Sequence, residues 1–284
     1  MDELLRARLR IPQGARLRLK ALRMAMQSID LFSRGISGQA FFALRETEEA
    51  LIELNGRTGP DLIWALMARN GGTKIRPIGL QNVPLNGPVL IGSTHPIGTF
   101  DFLAHAAALL EHRPDLKVVA NREAQRFLGV DRIIPVDLDR KDTVLTARQT
   151  RLGMLEHLGQ GGALLVFGSG KVPDIQNGRL TEPEWRTGIT RMSKAANAPI
   201  VPASPDMRNS RHYYRTRKVA RLLSGGNEYI GREVASLRYV SELLAKLGGS
   251  YDVHYCRLQP PGTHADDLKR LAEGLVPGLY TDAE

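Results

Sequence analysis

A histidine and an aspartate stand on either side of a short turn in the segment HPIGTFD, residues 95–101. The segment follows the apolar run PVLIGST and precedes FLAHAAALLEH, which has helical character. A histidine at the end of a buried strand titrates near neutrality, and a nearby carboxylate can fix its tautomer and orientation. We therefore predict that His95 is a general base and that Asp101 orients its ring.

The same turn has a purely structural interpretation. Pro96 and Gly98 favour a turn after the strand, and Thr99 can cap the following helix. Asp101 then falls in the first helical turn, where the helix dipole favours a carboxylate. This interpretation accounts for Asp101 without any catalytic role, but it gives no reason for His95, so we favour the catalytic one.

A second polar segment, VDLDRKD, also follows an apolar strand. It contains Arg140, whose guanidinium offers a forked pair of donors for phosphate or carboxylate. We predict an anion-binding role for Arg140. The alternative is a surface turn in which Asp139 and Asp142 balance the cations.

A third segment, FGSGKVPD, is a glycine-rich loop containing Lys171. A phosphate loop of the Walker type would need glycine where Leu165 stands and serine or threonine where Val172 stands. Ser169 also lacks the Gly-x-Ser-x-Gly spacing of a nucleophile elbow. We predict a tight loop whose backbone amides and single cation hold a phosphate or an acceptor head group. A fourth segment, APIVPASPD, ends another apolar strand.

The histidines do not have the spacing of zinc ligands. His105 and His112 are seven residues apart on a predicted helix, and His212 and His254 are isolated. We therefore expect no metal ion and place these side chains in the core or on the surface.

The bulk composition indicates a globular cytoplasmic protein. The chain has 284 residues, 42% of them hydrophobic, which is enough for one substantial domain. Its single cysteine, Cys256, cannot form an intramolecular disulfide, which favours a reducing compartment. No run approaches the roughly 18 apolar residues of a transmembrane helix, and the Arg- and Leu-rich N-terminus lacks the apolar core of a signal peptide.

The net charge of +9 is concentrated in two basic clusters. In the first, within residues 1–23, cations alternate with leucines, a pattern typical of a helix at a lipid surface. We expect this region to dock on an anionic membrane surface; a solvated amphipathic helix packed on its own domain is the alternative. The second cluster could bind an acidic carrier protein and comprises Arg208, Arg211, Arg215, Arg217, Lys218 and Arg221. We expect no nucleic-acid partner, because neither cluster carries interleaved aromatic residues.

Strand-like and helix-like runs alternate from about residue 74 onwards. Strands are predicted near KIRPIGL, PVLIGS, LKVVAN, RIIPVDL, ALLVFG, PIVPAS and YDVHYC, and helices near residues 100–112, 143–159, 185–197, 231–247 and 264–275. This alternation predicts an α/β fold: a mainly parallel mixed sheet covered by helices, with an N-terminal helical extension. We expect a helical region over residues 1–70 and an α/β domain over residues 71–284. The carboxyl ends of its strands would carry the four polar segments.

In order and spacing, the four segments resemble the four blocks of the PlsC-like glycerolipid and lysophospholipid acyltransferases. The resemblance covers residues 74–215. His95 and Asp101, with five residues between them, match a branch similar to the ornithine-lipid O-acyltransferases. Further matches fall in the later blocks and downstream of them, at Arg140, Phe167, Gly170, Pro199, Pro202, Trp185 and Gly188. The chain departs from the family pattern at Gly168, where proline is expected, and at Ser169 and Lys171, neither of which is the acidic residue often present.

The resemblance implies a fold, a reaction and a set of site residues. A fatty acyl group would pass from acyl carrier protein or a CoA thioester to a hydroxyl of a lysolipid-type acceptor in phospholipid biosynthesis. His95 would remove the acceptor proton, with Asp101 as its partner and no cofactor beyond the thioester co-substrate. The substrate-binding residues would be Arg140, Lys171, Gly170, Phe167, Ser169 and Gly98. Lys171 in place of an acid suggests a more anionic head group on the acceptor.

Two alternatives to this function remain open from the sequence. An N-acyltransferase could use the same His95 and Asp101 to acylate the amine of an amino acid or another small metabolite. A non-catalytic protein that binds lipid or acyl carrier would also account for the departures in the third block. Of these possibilities, we favour the O-acyltransferase, located in the cytoplasm and peripherally bound to the inner face of the cell membrane.

Overall fold

The structure is a computed structural model that describes residues 2, 5, 6, 11–121, 125, 129–136 and 143–280. Its contacts group the chain into two compact units. The first consists of Met1–Gly56 and Asn209–Leu247, and the second of Arg57–Arg208 and Gly248–Glu284. The division at residue 70, which was drawn from the sequence, stays a prediction.

The regular elements are numbered in chain order among the described residues. The helices are α1 Arg16–Ser37, α2 Leu44–Glu53, α3 Gly59–Met67, α4 Thr99–Leu109, α5 Thr143–Gly159, α6 Gly188–Ala196, α7 Arg211–Leu223, α8 Glu228–Ser236, α9 Tyr239–Lys246 and α10 Ala265–Gly274. The strands are β1 Lys74–Ile78, β2 Val89–Ser93, β3 Lys117–Ala120, β4 Ile133–Pro135, β5 Ala163–Phe167, β6 Asp174–Gln176, β7 Arg179–Thr181, β8 Ile200–Pro205 and β9 Ser250–Tyr255.

The second unit is built on a seven-stranded sheet in the order β1-β9-β8-β2-β5-β3-β4. All neighbouring pairs are parallel except β8 and β9, which are antiparallel. The predicted mainly parallel mixed sheet is therefore confirmed, and each of its strands lies in one of the predicted runs to within one residue. The hairpin formed by β6 and β7 was not predicted from the sequence.

The central strands are apolar along their whole length because helices cover both faces of the sheet. All five residues of β2 are buried. Gly92 of this strand leaves room for two side chains, because a Cβ at this position would come within 2.7 Å of Ile189 and 3.1 Å of Trp185. Trp185 and Ile189 can therefore pack directly on the sheet, in a cluster with Leu164 and Leu268.

The first unit consists of helices. In α1 the carboxylate of Asp30 is buried and accepts the backbone N–H groups of Phe42 at 2.6 Å and Leu44 at 2.9 Å, which fixes the start of α2. The helix predicted over residues 231–247 is divided into α8 and α9. At the junction the buried Arg238 donates to the carbonyl of Ala40 at 3.2 Å, a tertiary bond, and to Glu242 one turn later at 3.1 Å. The tertiary bond outweighs local helix propensity.

Candidate active site

The turn between β2 and α4 is held by the carboxylate of Asp101. Its Oδ2 accepts the backbone N–H groups of Ile97 at 2.8 Å and Gly98 at 2.9 Å, and the Asp101 N–H donates to the Gly98 carbonyl at 3.2 Å. Gly98 has a φ of 107°, in the region that favours glycine. Asp101 thus lies in the first turn of α4 as the structural interpretation expected, but the cap position belongs to Gly98, so the expectation that Thr99 caps the helix is wrong.

The same carboxylate also lies beside the imidazole of His95. His95 Nδ1 is 3.0 Å from Asp101 Oδ2, an ion-pair distance, but the contact does not have the geometry of a hydrogen bond. The Asp101 side chain is fully buried, whereas 18% of the His95 side chain remains exposed. The pair therefore combines a fixed, shielded carboxylate with a ring that a substrate can reach.

Phe167 fixes the plane of the His95 ring. Strands β2 and β5 are in register, with Ser93 opposite Phe167, so the residues that end the two strands are neighbours. The rings of His95 and Phe167 stack with centroids 4.1 Å apart and an interplanar angle of 26°. Phe167, predicted to bind substrate, contacts the predicted general base directly.

A second histidine, His105, lies close to the site and is held neutral. Its Nε2 is 2.8 Å from the Ser93 hydroxyl, and its Nδ1 is 3.1 Å from the Tyr255 hydroxyl. Because Ser93 donates to the carbonyl of Thr94 at 2.9 Å, Nε2 carries the proton and Nδ1 accepts from Tyr255. Burial, with the nearby His95, lowers the pKa of His105 to about 3. His105 is thus a hydrogen-bonded core residue.

The glycine-rich loop after β5 is packed against an indole ring. A Cβ at Gly168 would lie 2.0 Å from the ring of Trp185, so the missing side chain makes room for the tryptophan. Backbone bonds fix the loop on both sides, from Gly168 N–H to the Ser93 carbonyl at 3.0 Å and from Arg186 N–H to the Gly168 carbonyl at 2.9 Å. The departure from proline at this position therefore has a steric cause.

The other predicted residues of this loop have different surroundings. The Lys171 side chain is exposed, and Gly170 has a φ of 64°. Ser169 is buried, and its hydroxyl lies 2.9 Å from Glu182 Oε1 and 3.0 Å from the Lys171 carbonyl. The structure thus directs the Ser169 side chain inward and leaves Lys171 as the cation of the loop that reaches solvent.

Glu182 is the residue of this site that the sequence did not reveal. It follows β7, is 3% exposed and also accepts from Trp185 Nε1 at 3.2 Å. Burial raises its pKa to about 8, although the Ser169 hydroxyl, the Trp185 indole and the backbone N–H of His95 oppose the shift. In the sequence, only Trp185, three residues later, drew attention to this segment. The β6–β7 hairpin that brings Glu182 back to the site was not predicted.

Two further predictions about the site concern Arg140 and a metal ion. Arg140 lies outside the described residues, so its anion-binding role stays a prediction. Within the described ranges, no cluster of three or more histidine, cysteine or acidic residues could hold a metal ion.

The chain is similar to known acyltransferases. Residues 74–205 match the model of the Acyltransferase family. The chain is 23% identical over 195 residues to a lyso-glycine lipid O-acyltransferase of Phocaeicola vulgatus (strain ATCC 8482), a match covering 68% of this chain and 67% of that protein. It also matches the crystal structure of the 1-acyl-sn-glycerophosphate (LPA) acyltransferase PlsC from Thermotoga maritima, with a TM-score of 0.45 and 11% identity, over 89% of this chain and 95% of that one.

Proposed function

Because residues 74–205 match the model of the acyltransferase family, we propose that the protein transfers a fatty acyl group from a thioester to a hydroxyl of a lysolipid-type acceptor. The 3.0 Å approach of His95 Nδ1 to the buried Asp101 is the observation that carries this proposal. It reserves Nδ1 for the carboxylate and leaves Nε2, on a partly exposed ring, to take the proton of the acceptor.

The proposed reaction needs no covalent enzyme intermediate. His95 Nε2 takes the hydroxyl proton while the acceptor oxygen forms a bond to the thioester carbonyl carbon. The C–S bond then breaks, and the thiol leaves with the proton that the imidazolium returns. Asp101 stabilises the positive charge that forms on the ring between these two steps.

The substrate assignments extend this proposal to the rest of the site. We assign the developing oxyanion to the backbone amides of Ser169 and Gly170, because those of Gly168 and Lys171 already donate to the Ser93 carbonyl and the Ser169 hydroxyl. Anionic groups of donor or acceptor are assigned to Lys171 and Arg140. The donor is acyl-CoA or acyl carrier protein. A hydroxyl acceptor is favoured because the Phocaeicola vulgatus relative is a lyso-glycine lipid O-acyltransferase.

The surface of the first unit supports a peripheral location on an anionic lipid surface. In α1, five large apolar side chains are between 53% and 85% exposed: Leu17, Met24, Leu31, Phe32 and Ile36. Arg16, Arg18 and Lys20 are exposed in the first turns of the same helix. Apolar side chains that enter the acyl boundary beside cations that meet phosphates are the chemistry of an interfacial helix.

Helix α7 offers a second surface of the same chemical kind. Its exposed residues are Arg211, Arg215, Lys218, Val219, Leu222 and Leu223. Arg217 and Arg221 bind Glu228, at 2.9 and 3.1 Å, and belong to the fold of this unit. The exposed cations could also bind an acidic acyl carrier protein. Among the described residues, no helix has the length and hydropathy needed to cross a bilayer.

The function is tested by incubating the purified protein with acyl-CoA or acyl carrier protein and either a lysolipid or an amine. We expect thiol release and an alkali-labile ester, and a loss of rate of about 10²- to 10⁴-fold in His95→Ala. His264→Ala changes an exposed histidine and is the matched control. An alkali-stable amide would indicate an N-acyltransferase, and lipid binding without thiol release a non-catalytic protein; either result would overturn the proposal.

A further inference from the structure

Glu182 connects three segments that meet at the predicted general base. Its Oε1 accepts from the Ser169 hydroxyl at 2.9 Å, in the loop after β5, and from Trp185 Nε1 at 3.2 Å, in the segment before α6. The backbone N–H of His95, at the end of β2, also acts on this carboxyl group. One side chain therefore bonds the loop assigned to the oxyanion and the segment before α6, and the His95 backbone N–H acts on its pKa.

We propose that Glu182 is a positioning residue of the active site, which holds the His95 backbone and the Ser169 loop in one fixed geometry. This inference rests on the proposed function, because it assigns Glu182 a task in acyl transfer. Glu182 acts through its neighbours, and it neither takes a proton from the acceptor nor contacts the thioester.

The surroundings of Glu182 argue for a specific role and against simple core filling. Burying a carboxyl group is costly unless its polar atoms have partners, and an apolar residue would fill the same volume at lower cost. Glu182 is 3% exposed, and its Oε1 accepts from donors in two separate segments, whereas its Oε2 is buried without a hydrogen-bond partner among the described residues. The hairpin that delivers it is anchored by the Leu180 N–H, which donates to the Leu279 carbonyl at 2.9 Å.

The charges around Glu182 favour its neutral form at neutral pH. Burial is the largest cause of its raised pKa, and Glu273 of α10 adds to it. Glu273 is itself paired with Lys269 at 3.2 Å. Other titratable groups in this region are His95, Asp101 and the hydroxyl of Tyr280, whose pKa is raised by burial first and then by Glu182 and Asp101. A neutral acid can hold donors beside His95 without adding a second negative charge to that of Asp101.

Three variants test this role by steady-state kinetics. We expect Glu182→Ala to lower kcat by about 30- to 100-fold with little change in KM, since a misplacement of about 1 Å at a reacting group costs this much. Glu182→Gln keeps an acceptor oxygen and should recover most of the lost rate. Glu184→Ala removes an exposed carboxylate two residues away and is the matched control.

The pH profile separates positioning from a merely structural role. Above a pH of about 8 the wild-type Glu182 ionises, and the new charge stabilises the His95 imidazolium, so the return of its proton to the leaving thiol slows. We expect kcat of the wild type to decline in this range and kcat of Glu182→Gln to show no such decline. The Trp185 indole N–H resonance, one of two in the chain, should titrate over the same range in the wild type only.

The outcomes distinguish this inference from the proposed function. A wild-type protein without acyl transfer would overturn both, whereas an active wild type with Glu182→Ala within twofold of its kcat would overturn only the positioning role. Glu182→Gln as impaired as Glu182→Ala would also overturn it. If Glu182→Ala does not fold, Ser169→Ala removes one of the same hydrogen bonds, and an unchanged kcat in that variant would contradict the proposal.

Discussion

The imidazole of His95 lies flat on the ring of Phe167, with 4.1 Å between the ring centroids. This contact joins the end of β2 to the end of β5, and it restricts the ring rotation that the carboxylate of Asp101 alone would allow. The orientation of the predicted base therefore depends on an apolar neighbour as well as on its acidic partner.

Removing the ring of Phe167 should lower the rate of acyl transfer without removing the base. An aromatic pair contributes about 0.5 to 1.5 kcal/mol beyond its buried area, so we expect Phe167→Leu to reduce kcat by up to about tenfold. Phe167→Tyr keeps a stacked ring and should lose less. Steady-state kinetics on both variants checks this, and equal rates for Phe167→Leu and the wild type would show that stacking does not orient His95.

Substitution of Gly168 should destabilise the fold. A Cβ there would meet the Trp185 ring at 2.0 Å, and overpacking of this kind costs about 1 to 3 kcal/mol or more. We therefore expect Gly168→Ala to lower the free energy of unfolding in urea by at least about 1 kcal/mol. Gly159→Ala, at a position with nothing within 4 Å, is the control and should be neutral or mildly stabilising. Equal stability of the two variants would contradict the packing described for Trp185.

The stability of the fold should fall in acid partly because of His105. Its pKa is 6.5 in an unfolded chain and about 3 in the folded protein, where it is buried. Between these values the unfolded chain binds a proton that the folded protein does not, so this contribution is complete above pH 6.5 and is lost as the pH falls towards 3. Each pH unit within this window changes the free energy of unfolding by about 1.4 kcal/mol.

The matched comparison for this titration is His105→Gln, which cannot take up a proton. It should be less stable than the wild type at neutral pH, because its hydrogen bonds to Ser93 and Tyr255 are altered. From pH 6.5 to 4.5 the wild type should lose about 2 to 3 kcal/mol more than the variant in urea unfolding. His264→Gln, on an exposed histidine, should follow the wild type. Parallel losses in His105→Gln and the wild type would refute the neutral buried state.

Binding of the protein to lipid should depend on the exposed face of α1. Leu31→Ser combined with Phe32→Ser removes two large apolar side chains, 75% and 72% exposed. We expect at least a tenfold weaker association with vesicles of mixed phosphatidylcholine and phosphatidylglycerol, roughly 1.4 kcal/mol. Leu152→Ser, on an exposed leucine of α5, is the control. Sedimentation with vesicles measures this. Equal binding of the double variant would argue against docking through this face, and equal binding of the wild type to uncharged vesicles would argue against a role for the cations of α1.

The sequence predicted the sheet and the pair at its centre, but it did not predict what surrounds the pair. Apolar runs such as VLIGS and ALLVF suffice to place strands, because a buried parallel strand is apolar on both faces. His95 and Asp101 were visible because a short turn keeps them together in the chain. Glu182 was not, since a carboxylate in a polar loop resembles a surface residue until the hairpin that buries it is known.

The charge-rich sequence of α7 likewise did not predict which of its side chains are buried. RHYYRTRKVARLL was interpreted only as a basic cluster, because the sequence does not distinguish the cations that are exposed from the one that is buried. The structure buries Tyr213, Tyr214 and Arg217 on one side of this helix. Arg217 is buried because Glu228 of α8 neutralises it, and such a pairing between neighbouring helices has no local pattern in the sequence.

Gly168 and Trp185 depend on each other, although 17 positions separate them in the chain, because the indole ring occupies the space that a side chain at position 168 would need. Neither residue can be exchanged alone. A proline at position 168 would displace the indole ring, and a smaller residue at position 185 would leave a cavity next to β2. Swapping both together should therefore be tolerated better than either change singly. Relatives of this chain that bring proline back at the first position should lack tryptophan at the second, and that covariation offers a way to recognise proteins that close their active-site loop as this one does.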